Sequence, residues 1–76
     1  LGKHQQAISC YQKAIEIQPN HAAAHNNLGI VFRLLGKHQQ AISCYQKATR
    51  IDPNYAGAYN NLGNILKSMG KYGDAI

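Results

Sequence analysis

Acidic residues are scarce in this chain. Glu16, Asp52 and Asp74 are the three carboxylates among 76 residues, and they stand near expected helix ends or turns. No pair of them can be assembled for acid–base work, and no Ser-His-Asp arrangement is available. Gly36-Lys37 lacks the flanking glycine spacing of a phosphate loop. The chain is therefore read as no enzyme, with no catalytic residues, metal or cofactor. Apolar runs are short, so no bilayer span is expected. The N-terminal Leu1-Gly2-Lys3-His4 lacks the apolar segment of a signal peptide. The first residue is not Met, which marks the sequence as an excerpt. Cysteine is limited to Cys10 and Cys44. Two thiols without an export signal point to the cytoplasm or nucleus.

Eight Lys and Arg outweigh the acids, for a net charge of +5. That excess favours acidic partners. Lys3, Lys13, Lys37, Lys47, Lys67 and Lys71 are dispersed, as on a solvated surface, rather than gathered into a nucleic-acid footprint.

What the chain does have is repetition. Leu1 to Ala14 reads LGKHQQAISCYQKA, and Leu35 to Ala48 reads the same, an offset of 34 residues. The same offset carries Ile17-Gln18-Pro19-Asn20 onto Ile51-Asp52-Pro53-Asn54, and Asn26-Asn27-Leu28-Gly29 onto Asn60-Asn61-Leu62-Gly63. Gly36-Lys37 returns as Gly70-Lys71, and Ala41-Ile42 as Ala75-Ile76.

Each period holds two helical patterns. The first is expected from about His21 to Leu35, capped by Asn20 and stopped at Gly36. The second is expected from about His38 to Ile51, with Pro53 just beyond it. The equivalents are Tyr55 to Met69 and His4 to Ile17, followed by the start of another second-type helix. At about 100° per residue, His25, Leu28, Gly29, Phe32 and Leu35 share an arc. Their counterparts are Tyr59, Leu62, Gly63, Leu66 and Met69. On the second helix Ala41, Tyr45 and Ala48 share a face flanked by Ile42 and Ile51. Small Gly29 is expected against small Ala41. One such hairpin cannot bury its apolar face alone and must stack on neighbours, which gives an all-α solenoid.

The 34-residue period, with Leu28-Gly29, Phe32, Gly36, Ala41, Tyr45, Ala48 and Pro53, resembles the tetratricopeptide repeat. Leu62-Gly63, Leu66, Gly70 and Ala75 continue it, and Gly2, Ala7, Tyr11, Ala14 and Pro19 precede it. The resemblance spans the whole chain: residues 1–21 would end one repeat, 22–55 form a complete one and 56–76 start the next. It departs at His25 and Tyr59, where the family usually has Trp, and at Gly73. The resemblance implies antiparallel helix hairpins stacked in a right-handed superhelix, the first helix of each pair lining a concave groove. It also implies binding of a peptide or partner segment, without catalysis.

On the residues themselves, Asn26, Asn27, Ile30, Arg33 and Leu34 lie opposite the core arc. Asn60, Asn61, Asn64, Lys67 and Ser68 follow at the same positions. Amides can answer both the N–H and the C=O of an extended peptide. Arg33 above Lys67 would attract acidic or phosphorylated groups, while Ile30 and Leu34 offer apolar contact. Asn is a mediocre helix former, so two adjacent pairs of it carry a stability cost that favours a functional reading over simple solvation. Asn27 and Asn61 also resemble the asparagine ladder in the repeat superhelix of the O-linked N-acetylglucosamine transferases. That resemblance gives the alternative of a substrate-recruiting segment of a glycosyltransferase. A carboxylate clamp of the family fits less well: Asn26 and Asn60 stand where it needs Lys, and Ile30 where it needs Asn, although Asn64 matches. Single-stranded RNA binding is a further alternative, set back by the Asn-Asn-Leu-Gly motif and the Ala-x4-Pro ending.

Two other pairs are set aside. His21 and His25 have the i, i+4 spacing of metal ligands, but no third ligand is near and Tyr55 and Tyr59 replace them one period on. Packing is the expected role. Cys10 and Cys44, on helices about 8–10 Å apart, exceed disulfide reach and are expected to be small, partly buried residues. At the two ends, Ala7, Ile8, Tyr11, Ala14 and Ile15, and Tyr59, Leu62 and Leu66, lack covering helices. Marginal stability and self-association through these faces are expected.

Overall fold

The computed structural model describes residues 2–73 and is all-α. Four helices follow in order: α1 (Gly2–Ile17), α2 (Ala22–Leu34), α3 (His38–Ile51) and α4 (Ala56–Gly73). Each packs on its neighbours in sequence, and α2 also touches α4. No helix among the described residues is long and apolar enough to cross a membrane.

The turn between α2 and α3 follows from Gly36. Its φ is +78°, the left-handed region that a side chain disfavours. That turn lets the Lys37 N–H reach the Phe32 carbonyl at 2.8 Å and the Gly36 N–H reach the Arg33 carbonyl at 2.9 Å. These are the two bonds of a Schellman cap, which satisfies carbonyls that a helix end otherwise leaves free. At the other end of α2 the expected cap moves by one residue. His21, not Asn20, is the N-cap, its Nδ1 accepting from the Ala24 N–H at 3.3 Å. An imidazole nitrogen held close to the first turn performs what was expected of the Asn amide.

The second difference lies at Gly70. By analogy with Gly36 the helix should stop there, yet α4 runs on to Gly73. Reversal at Gly36 is stabilised by the 14 residues of α3 packing on α2. The expected match of Ala75-Ile76 to Ala41-Ile42 lies outside the described residues.

The core sits where α3 meets α2 and α4. Ala41, Tyr45 and Ala48 are fully buried, the face read from their spacing. Ile65 of α4 joins them, with Phe32, Ile42, Leu62 and Met69 partly buried alongside. Gly29 permits the close approach of α2 and α3, but chiefly to Tyr45 rather than to Ala41. A Cβ on Gly29 would lie 2.6 Å from Tyr45 Cε1 and 3.2 Å from the Ala41 carbonyl oxygen. The expected glycine–alanine contact is thus a socket for an aromatic ring.

Candidate functional site

Down one side of α2, Asn26, Ile30 and Arg33 follow at i, i+4 and i+7, the spacing of one helix face. Their exposure rises steadily along it: Asn26 is 6% exposed, Ile30 is half-buried and Arg33 is open to solvent. The cause is the approach of α4. Its N-terminal part closes over Asn26, where Asn61 Nδ2 donates to Asn26 Oδ1 at 2.9 Å and Asn26 Nδ2 donates to the Tyr55 hydroxyl at 3.4 Å.

Two of the expected groove residues are thereby reassigned. Asn26 is not an open amide; its oxygen and nitrogen are both engaged by the next repeat in a buried position, where an unmatched amide would be costly. Ile30 rests partly against the Ala41–Tyr45–Ile65 core instead of standing free. Tertiary packing overrides the helical wheel here because the wheel records direction, not how near the next helix comes.

Beyond Ile30 the helices leave a cleft of about 360 Å³. Arg33, Asn61 and Asn64 line it, together with His38, Ile65 and Ser68. Four residues singled out from sequence, Arg33 of α2 and Asn61, Asn64 and Ser68 of α4, therefore line one opening. Asn27 is half-buried on α2, while Leu34, Asn60 and Lys67 are exposed but do not line the cleft. His38 was missed as a site residue. It opens α3, and nothing in its local sequence signals that α3 begins beside α4.

The electrostatics of the cleft follow from the shortage of acids. Glu16 pairs with Lys13 within α1 at 3.2 Å, and Asp52 accepts from the Asn54 N–H at 3.0 Å. Among the described residues no carboxylate neutralises Arg33. The cleft thus presents one free guanidinium, several amide and hydroxyl groups, and the buried edge of Ile65. Guanidinium groups suit anions in general, and amides suit the donors and acceptors of a backbone.

The family comparisons agree with the geometry. One model described as tetratricopeptide repeat matches residues 1–54, and a second of the same description matches residues 44–76. The chain belongs to the tetratricopeptide repeat family. Proteins of this kind serve as protein–protein interaction scaffolds, and repeat domains of this type are generally non-catalytic. No curated protein matches the chain.

Within the repeat, the histidine pair has structural work. His21 caps α2, and His25 is buried with its Nε2 3.1 Å from the Pro19 carbonyl oxygen. Cysteines at equivalent repeat positions differ: Cys44 is half-buried, whereas Cys10 is exposed, contrary to the expectation of partial burial for both. Burial pushes the Cys44 thiol up from its ordinary 9.0 to about 11. At pH 8 that cuts its thiolate supply about 100-fold relative to an ordinary thiol. Iodoacetamide at pH 8 should therefore alkylate Cys10 well before Cys44, and peptide mapping by mass spectrometry reads the order directly. Equal labelling rates would contradict the placement.

Proposed function

We propose that the cleft between α2 and α4 holds an extended, acidic segment of a partner protein. In this reading residues 22–55 form one complete repeat, flanked by the end (1–21) and the start (56–76) of its neighbours. The observation that carries it is the convergence of Arg33, Asn61 and Asn64 around one opening. Arg33 supplies a charge that a carboxylate or phosphate can pair with bidentately. Asn64 and Ser68 offer donors and acceptors to a peptide backbone. Ile65 provides an apolar floor. A substrate-recruiting arm of a glycosyltransferase would use the same amide wall, so that alternative is a special case of peptide capture.

The test is fluorescence anisotropy with a set of acidic, neutral and basic peptides. Acidic peptides should bind best, and binding should weaken as salt rises. Arg33→Glu should lower affinity for an acidic peptide about 10-fold, the scale of one charge-assisted contact. Asn64→Ala should lower affinity for all the peptides by a smaller, sequence-independent factor. Asn61→Ala is the poorer probe, since it also breaks the bond to Asn26. Unchanged affinities in both Arg33→Glu and Asn64→Ala would remove this reading.

A further inference from the structure

A separate cavity of about 400 Å³ lies where α1, α2 and α3 meet, and it shares no lining residue with the Arg33 cleft. Small-molecule sites run from roughly 300 to 1,000 Å³. Three helices supply its apolar part. Leu28 of α2 is 6% exposed, while Ile15 of α1 and Cys44 of α3 are half-buried. His25 adds a buried ring whose Nε2 donates to the Pro19 carbonyl. Burial raises the Cys44 thiol to about 11, so at pH 7 this wall carries no thiolate charge. Lys47 and Arg50, three residues apart on one face of α3, line the same cavity with exposed side chains. Among the described residues neither has a carboxylate partner, since Glu16 pairs with Lys13 instead.

The repeat diverges at this edge. Residues 1–14 and 35–48 are identical, but Ile15-Glu16 is answered by Thr49-Arg50. An acid of one period thus becomes a cation of the next, and that cation borders the cavity. We propose that the cavity binds a small anion with an apolar tail, of the class of medium-chain carboxylic acids. The tail lies against Leu28 and Ile15, and the carboxylate meets Lys47 and Arg50. Charge selects the head group, because two unmatched cations attract a carboxylate and repel an amine. Volume selects a small molecule over a helical segment. A helix with its side chains is about 10–12 Å across, so this space would admit roughly one turn of it. The site is independent of the peptide cleft and stands whether or not that cleft holds a partner.

Titration calorimetry with hexanoate, octanoate, octanol and octylamine, each up to about 1 mM, tests this. Octanoate should bind one to a chain and about 10-fold tighter than hexanoate, because its two further methylenes leave water. Octanol should bind about 5-fold more weakly than octanoate, the scale of an exposed charge contact, and octylamine more weakly still. Arg50→Glu and Lys47→Glu change exposed residues, and each should weaken octanoate about 5-fold while circular dichroism keeps its helix signal. Methyl NMR places the ligand. Octanoate should shift the Ile15 and Leu28 methyls and leave Ile65, in the Arg33 cleft, unmoved. Absence of octanoate binding at 1 mM, equal binding of the alcohol or amine, or shifts centred on Ile65 would each overturn the proposal. So would an acidic peptide that moves Ile15 and Leu28 where octanoate does not.

Discussion

Tyr45→Ala is expected to lower the unfolding free energy by about 4 kcal/mol, the range for emptying a buried aromatic site. The ring is fully buried, fills the Gly29 socket and belongs to the cluster with Ala41 and Ile65. Removing it opens a cavity at the junction of α2, α3 and α4. A chain of this size has a total stability of roughly 4–11 kcal/mol, so one substitution removes much of it. Tyr45→Phe should act in the opposite direction. The Tyr45 hydroxyl is buried without a hydrogen-bond partner among the described residues, and deleting it should gain about 1 kcal/mol by relieving an unmatched polar group. Urea unfolding followed by circular dichroism gives both signs. Were Tyr45→Phe to cost as much as Tyr45→Ala, the hydroxyl would have a partner and the packing account would be wrong.

Gly29→Ala should destabilise and Gly63→Ala should stabilise, although the two glycines occupy the same position of the repeat. At Gly29 the added methyl would lie 2.6 Å and 2.8 Å from two carbons of the Tyr45 ring and 3.2 Å from the Ala41 carbonyl oxygen. Neither neighbour yields easily, one being a fully buried ring and the other backbone, so α2 and α3 must separate. Overpacking of this kind costs about 3 kcal/mol at the upper end of its usual range. Helix propensity returns about 1 kcal/mol. The net loss is about 2 kcal/mol, or a fall of roughly 10 °C in Tm for a domain of this length. At Gly63 the methyl meets nothing, leaving only the propensity gain of about 1 kcal/mol. Thermal unfolding of the two variants checks the sign. A shared sign would show that repeat position outweighs the neighbour actually present.

Much of the helical outline was legible in the residues. The bounds of α3 agree with those expected, and the Gly36 stop appears with its cap bonds. The buried face Ala41–Tyr45–Ala48 was visible in its spacing. Each of these rests on short-range causes: turn chemistry, helical period and the place of proline. Gly70, unlike Gly36, lies inside a helix, since α4 continues to Gly73. Asn20 lost the cap to His21 because either side chain can reach a free N–H in the first turn, and composition does not rank two candidates one residue apart.

The cleft was legible in part. Arg33, Asn61 and Asn64 could be placed on one face by angle alone, but Asn26 and Ile30 share that face and are covered. The amino-acid order by itself determined a repeated pair of amphipathic helices, since periodicity and capping act over a few residues. Only the tertiary structure decided which repeated residue is filled and which is empty, which amide is bonded and which is open. Identical letters 34 residues apart acquire different roles because burial and hydrogen bonding depend on the helix that arrives alongside, and α4 arrives at one end of α2 but not the other.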